Sequence, residues 1–373
     1  MSVTVRDVAA AAGVSPGTAS RALRGHPQIS EDCIARVRMA AERLNYRPLR
    51  DRTGRRRAEP LVGRRIAIAL FGIDRTLATH PAVGECIHGV EEALAECGAH
   101  PVLVNVSDPR EPPRSLRRIR FDGIIAKAAL QGDIMAALGS KIQTVLSSNA
   151  LVWILGRPAG VEGDAVSPDN VGMGRMAAEA LVDAGHTRLA VVNPKGDHAM
   201  FIGREEGFRE AAARRAAVVS SFSTRRSEQV FPIQPIMDVG DVQPLVDALL
   251  AEQPRPTAIF CPADSIAVMV YRALATRGIR PGVDIAIISC NYERSLIAGL
   301  GPSLATFDIH PRQIGRLAVR QLTRRITGEF DGSAVTIDVK ATLQPGDSLA
   351  PPPPEPGQGR KARKPPRRAD AAS

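Results

Sequence analysis

Between residues 65 and 343 the chain alternates short apolar runs with amphipathic stretches, and that alternation leaves few folds open. The apolar runs are Ile66–Phe71, Pro101–Val106, Gly123–Ala126, Leu151–Leu155, Leu189–Val192, Ala258–Cys261 and Ile285–Ser289. Between them, Val83–Glu96, Val171–Ala184, Gly203–Arg214, Val242–Ala251, Ser265–Arg277 and Gln313–Ile326 carry helical periodicity. A strand that is apolar along its whole length is buried on both faces, so its sheet must be parallel and covered by helices on each side. A stretch of 279 residues is too long for one such sheet, and two α/β lobes are expected.

The charge is concentrated at the two ends. Of a net charge of +10, residues 1–49 carry +3 (seven arginines, four acids) and residues 50–65 carry +5 (seven arginines, two acids). Residues 359–373 carry another +5, from six basic residues and one acid, which leaves −3 for residues 66–358. A nearly neutral body with cationic ends is the footprint of a polyanion binder. No apolar stretch approaches the ~20 residues of a membrane helix, and the first residues show no secretory pattern. The expected place is the cytoplasm, at the nucleoid.

The first 49 residues read as three short helices. Thr4-x-x-Asp7 has the form of a capping box, and Val5, Val8, Ala9 and Ala12 make one helical face. Gly13 supplies the left-handed residue that ends this helix. Ser15 caps a second helix with Pro16 in its first turn and Ala19, Ala22 and Leu23 inward. Ser30 is expected to cap a third, with Ile34, Val37, Ala41 and Leu44 buried. Two helices joined by the tight turn Ala12-Gly13-Val14-Ser15 form a helix-turn-helix, whose second helix is shaped for the major groove of double-stranded DNA.

Three segments carry a specific resemblance: residues 4–15 (Thr-Val-Arg-Asp-Val-Ala-Ala-Ala-Ala-Gly-Val-Ser), 18–23 (Thr-Ala-Ser-Arg-Ala-Leu) and 44–48 (Leu-Asn-Tyr-Arg-Pro). Together they are similar, without a gap, to the DNA-binding domain of the lactose/galactose repressor (LacI/GalR) family. The resemblance implies base reading at Pro16, Gly17, Ser20 and Arg21, with Thr4, Ser15 and Thr18 near phosphates. Pro16 and Gly17 offer no side-chain donor. Arg21 can pair bidentately with guanine, and Ser20 can serve either partner; a good bidentate pair discriminates by roughly 1–3 kcal/mol. In that family the next segment forms a hinge helix that wedges a leucine into the minor groove. Here residues 50–60 hold Arg55, Arg56 and Arg57 with Gly54 and Pro60 and no matching leucine. The expectation is an arginine-filled, narrow minor groove instead.

The resemblance continues through Asp169-Asn-x-Gly172, Gly185-His-Thr-Arg188, Arg204-x-x-Gly207-Phe208 and Pro302-Ser-Leu-Ala-Thr306. It implies a two-lobed periplasmic-binding-protein-like domain with a ligand cleft and a homodimer formed through it. Arg204 falls on the family's ligand-clamping arginine. The usual Asn before Asp264 is Ala263, and a usual Asp is Asn291. Sugar hydroxyls are held by groups that accept and donate together, so Arg204, Asn291 and Asp264 are the candidate effector contacts, for a ligand that is not clearly a sugar.

No catalytic, metal or cofactor motif emerges. His80, His88, His100, His186, His198 and His310 lack partners at metal spacing, and His186 reads as a helix-end cap. The five scattered cysteines read as buried thiols. Neither a G-x-S-x-G elbow nor a phosphate-binding-loop lysine occurs. The expected fold is therefore α/β with an all-α head. Residues 1–49 form the helix-turn-helix, 50–64 the basic linker, 65–343 the two-lobed body and 344–373 a disordered Pro/Arg-rich tail. The expected function is that of a dimeric regulator, more a repressor than an activator, on a pseudo-palindromic operator. A ligand-independent DNA-binding protein whose body only dimerises is the rival.

Overall fold

The computed structural model describes residues 4–23, 26, 29–44, 46, 60–74, 80–110, 120–131, 134–224, 231–233 and 239–353, without the side chains of 135 and 141. The chain divides into two units, Met1–Pro60 and Leu61–Ser373.

In the first unit, α1 (Val5–Ala12), α2 (Pro16–Leu23) and α3 (Glu31–Arg43) enclose a small core. Val8, Ala9, Ala19, Ala22, Val37, Ala40 and Ala41 are buried, and Leu23, Ile34, Leu44 and Tyr46 pack around them. Alanines dominate the contacts, so three short helices can approach closely. Gly13 takes φ +66°, and the Val14 N–H donates to the Ala9 carbonyl at 3.0 Å, which closes the turn as its sequence requires. Ser30 holds the N-cap position of α3, but its side chain makes no capping hydrogen bond; the acids Glu31 and Asp32 complement the dipole there.

Among the described residues the second unit contains two sheets of six strands. The first joins β1 (Arg65–Phe71), β2 (His100–Val106), β3 (Gly123–Ala128), β4 (Leu151–Ile154), β5 (Asp164–Pro168) and β11 (Thr336–Val339) in the order β2-β1-β3-β4-β5-β11. The second joins β6 (Arg188–Asn193), β7 (Val218–Ser223), β8 (Ala258–Phe260), β9 (Ala286–Asn291), β10 (Ala305–Asp308) and β12 (Thr342–Gln344) in the order β7-β6-β8-β9-β10-β12. Both use one strand order, parallel except for β12. The chain passes between the lobes three times, after β5, after β10 and after β11.

Each lobe is locked by one close helix pair. In the second lobe, α7 (Asn170–Asp183) crosses α8 (Ala199–Arg214) at Gly174 and Gly207, where a Cβ would run into the carbonyls of Arg204 and Val171. In the first lobe, α4 (Pro81–Glu96) meets α12 (Pro311–Ile326) at Gly89 and Gly315 in the same manner. Such approach is open only to glycine. One apolar cluster runs through both lobes, from Leu61 and Ile66 to Phe208 and Phe260.

The body begins before and ends after the limits expected from sequence. Leu61 is fully buried and the Gly63 N–H donates to the Gly98 carbonyl at 2.9 Å, so packing starts at 61 rather than 65. The arginines at 64 and 65 masked that start. At the far end, residues 344–353 are part of the fold. The buried Ser348 hydroxyl donates to the Ile287 carbonyl at 2.7 Å and accepts from the Ala305 N–H at 2.9 Å. His186 is no helix cap: its ring bridges the Thr257 hydroxyl (2.9 Å) and the Ala350 carbonyl (2.8 Å), pinning this segment. Arg55, Arg56 and Arg57, and the tail from 354, lie outside the described residues.

Candidate functional site

Two places gather the residues singled out by sequence. The first is the start of α2. The Thr18 N–H donates to the Ser15 hydroxyl at 3.1 Å, and the two hydroxyls lie 2.8 Å apart, so both are fixed at the helix entry. Ser15, Pro16, Gly17 and Arg21 are exposed, while Thr18 and Ser20 are half-buried. Arg21 Nε donates back to the Gly17 carbonyl at 3.3 Å. A Cβ at Gly17 would meet nothing nearer than 3.9 Å, so packing does not require glycine there. Thr4 stands at the entry of α1, where its N–H and hydroxyl both donate to the Asp7 carboxylate at 2.7 Å. Those bonds hold the Asp7 carboxyl below its ordinary range.

The second place is a cavity of about 120 Å³ in the body, lined from both lobes. In doubly wound sheets, ligands bind beyond the carboxyl ends of the strands, where the strand order reverses. Phe71 and Ala128 end β1 and β3, and the reversal in the second sheet falls between β6 and β8, so the lining residues of this cavity follow those ends. Arg204, fully buried, projects from α8 where the glycine crossing brings that helix in. Its Nε donates to Asn170 Oδ1 at 3.0 Å and its Nη1 to Asn291 Oδ1 at 3.0 Å and to the Pro262 carbonyl. Its Nη2 is buried without a partner among the described residues. Asn291 itself takes φ +108°, a region that favours glycine.

Asp264 does not line this cavity. Its carboxylate lies behind it, accepting from the Ser289 and Thr306 hydroxyls at 2.6 Å each and from the Glu293 N–H at 2.7 Å. Burial raises it to about 6, against those three bonds. It is a buried brace for the loop that carries Asn291 and Glu293, and not a ligand contact. Sequence, by contrast, passed over Lys127, Lys195, His80, His198 and Glu293, which all line the cavity. Lys127 is buried at the end of β3 and donates to the Ala128 (2.8 Å) and Leu155 (3.0 Å) carbonyls; burial lowers it to about 7. His198 stacks on Phe201 at 4.1 Å, and burial drives it well below the usual imidazole value. The carboxylate of Glu293, raised to about 7 by burial, accepts from the Ala82 N–H across the cleft at 3.2 Å. A lysine in the middle of an apolar run was the available signal.

A DNA-reading helix pair in front of a two-lobed, cleft-bearing α/β body defines a DNA-binding transcriptional regulator. Residues 4–48 match the lacI family of bacterial regulatory proteins, and residues 166–349 match a periplasmic-binding-protein-like domain. The chain is 29% identical over 336 residues to the HTH-type transcriptional regulator CelR of Thermobifida fusca (87% of this chain, 92% of that one). It is 28% identical over 331 residues to the ribose operon repressor of Escherichia coli K12 (87% and 93%). Among solved structures, a CelR–cellobiose complex matches with TM-score 0.62 at 23% identity (93% of this chain, 99% of that one). The lac repressor dimer bound to operator and the anti-inducer ONPF matches with TM-score 0.61 at 20% identity (94% and 100%). The chain carries a lacI-family DNA-binding domain and a periplasmic-binding-protein-like domain, and the relatives that it matches are transcriptional regulators, not enzymes. No described helix is long and apolar enough to cross a membrane.

Proposed function

We propose that this regulator is a repressor that binds a pseudo-palindromic operator as a homodimer and is modulated by a small-molecule effector in its cleft. The repressor reading is supported by relatives named as repressors of a ribose operon and, at 26% identity, as the repressor PurR of Aliivibrio fischeri. The dimer reading is supported by likeness to the lac repressor dimer bound to operator, since a helix-turn-helix on each of two copies reads two half-sites.

The observation that carries the DNA-reading proposal is Arg21, exposed in the middle of α2 beside a glycine that adds no side chain to the reading face. Arg21 and Ser20 read base edges, Thr4, Ser15 and Thr18 contact phosphates, and Pro16 and Gly17 leave their base steps unread by hydrogen bonds. The code is accordingly short. Arg55, Arg56 and Arg57 enter the minor groove, and each phosphate neutralised steepens the salt dependence by ~0.9. Selection of operators from random duplexes with Arg21→Ala tests this: one guanine position should lose its preference at a cost of ~1–3 kcal/mol. An unchanged sequence preference would refute it. The rival in which the body only dimerises is disfavoured by a cavity lined from both lobes, where Arg204 Nη2 has no partner among the described residues.

A further inference from the structure

Neither base reading by the head nor the cleft uses the basic tail, residues 359–373. Its root, however, is fixed on the second lobe. The Ser348 N–H donates to the Ser303 carbonyl and the Ser348 carbonyl accepts from the Ile287 N–H, each at 2.9 Å, just ahead of β10 and at the start of β9. His186 Nε2 lies 2.8 Å from the Ala350 carbonyl, two residues ahead of β6. A Cβ at the neighbouring Gly185 would stand 3.4 Å from the Pro352 ring. Residues 348–352 thus cross the starts of three strands.

Those starts face away from the cleft, because the cavity lining follows strand ends in both lobes: Ile73 after β1, Leu130 after β3, His198 after β6 and Ile309 after β10. The chain enters the body at the matching place in the other lobe. The Arg65 N–H donates to Asp122 Oδ2 and the His100 N–H to the Arg64 carbonyl, both at 2.8 Å, where β1, β2 and β3 begin. Entry and tail root therefore occupy opposite ends of the body. The seven residues of β1 and six of β6 separate them by roughly 40 Å at ~3.3 Å per residue, before cleft and loops are added. From Pro353 to Arg360 even a fully extended chain covers at most ~25 Å, so the basic cluster begins well short of the entry.

The tail's composition selects its partner. Arg360, Lys361, Arg363, Lys364, Arg367 and Arg368 are interleaved with alanine and proline, and residues 354–373 hold no aromatic, aliphatic larger than proline, or sulfur-bearing side chain. A protein partner is held through buried aromatic or arginine anchors seated in pockets, and a membrane surface through an apolar face. A run of cations without either is matched by the phosphate backbone of a duplex, which carries one charge per ~1.7 Å of axis. We propose that the tail is a second, sequence-independent DNA-binding element, which holds a duplex segment other than the one the head reads, at the far end of the body.

The test compares the full chain with its variant R360Q/K361Q/R363Q/K364Q/R367Q/R368Q. Each is loaded on beads carrying a random-sequence duplex, washed, and offered a second, fluorescent duplex, a polyglutamate peptide or phosphatidylserine vesicles. The wild type should capture the second duplex and neither of the others. Six phosphate contacts give a log–log salt slope of up to about 5, so doubling the salt should weaken capture by up to about 30-fold. The variant should load on the beads and unfold at the wild-type temperature, yet capture less duplex per loaded chain by about tenfold or more. The proposal is overturned if the wild type captures no second duplex, if the variant captures as much, or if peptide or vesicles are held as well as DNA. It is overturned too if only the variant fails to load, since the tail then grips the same duplex as the head. A variant that loads but captures nothing leaves the head's DNA binding intact, whereas if neither chain loads, head and tail both fail as DNA binders.

Discussion

Replacing Lys127 by Met removes an ammonium that the fold holds against its own solvation, so the variant should be more stable than the wild type at neutral pH and less stable at high pH. Burial takes Lys127 from 10.5 to about 7. The folded value lies below the unfolded one, so the unfolded chain binds more protons between them, and wild-type stability rises as pH rises through that window. At ~1.36 kcal/mol per pH unit the full difference is about 5 kcal/mol, of which about 4 kcal/mol is still felt at pH 7, where the folded amine is half protonated. Methionine matches the length and flexibility of the stem and fits a strand among isoleucines and alanines. It forfeits the two hydrogen bonds to the Ala128 and Leu155 carbonyls, roughly 1 kcal/mol each. The net expectation is a gain of about 2 kcal/mol at pH 7 that becomes a loss of about 1 kcal/mol near pH 10. Urea unfolding at both pH values, read through Trp153, measures it, since that residue reports on the lobe concerned. A variant less stable than the wild type at pH 7, or a difference that does not change with pH, would refute the argument that desolvation dominates at this position.

Gly207→Ala places a methyl against the Val171 backbone, which cannot give way, and should lower stability by about 1–3 kcal/mol in thermal melts. Arg204→Lys leaves one compact ammonium where a planar fork served Asn170, Pro262 and Asn291; a loss of about 2–3 kcal/mol in urea unfolding is expected. Ser348→Ala should lower the midpoint of the body, by about 1–3 kcal/mol, because the Ile287 carbonyl and the Ala305 N–H lose a buried partner.

The central strands of both sheets were legible because they are apolar throughout. The strands that sequence passed over each carry a polar residue with a particular task. In β5, Asp164 is fully buried in an ion pair with Arg325, joined by Gln321 and the Val335 N–H, which removes the apolar signature from the strand. In β7, an edge strand, serines follow the two valines and no residue is fully buried. The apolar run from Gly123 was read to Ala126, yet the strand continues through Lys127 to Ala128. The rule that a lysine does not belong inside such a strand failed at the residue that lines the cleft. Sequence-level rules tend to break at positions kept for a task other than folding. The head was legible in greater detail because its caps and turn are local: Thr4, Asp7, Gly13 and Ser15 act within a few residues of themselves. Arg204 could be found through resemblance, whereas its partners Asn170 and Pro262 depend on a helix crossing that no local pattern announces.

The return of β11 to the first sheet has a consequence for how the chain is made. That sheet is begun at residue 65 and gains its outer strand only at residue 339; the helix that covers it, 311–326, also comes from beyond the second lobe. A nascent chain therefore exposes an uncovered apolar surface around Cys86 and Leu94 until residues 311–326 have left the ribosome. Neither lobe is a contiguous stretch that can be excised and expected to fold alone. Synthesis that stops before residue 339 yields an aggregation-prone fragment rather than a folded lobe.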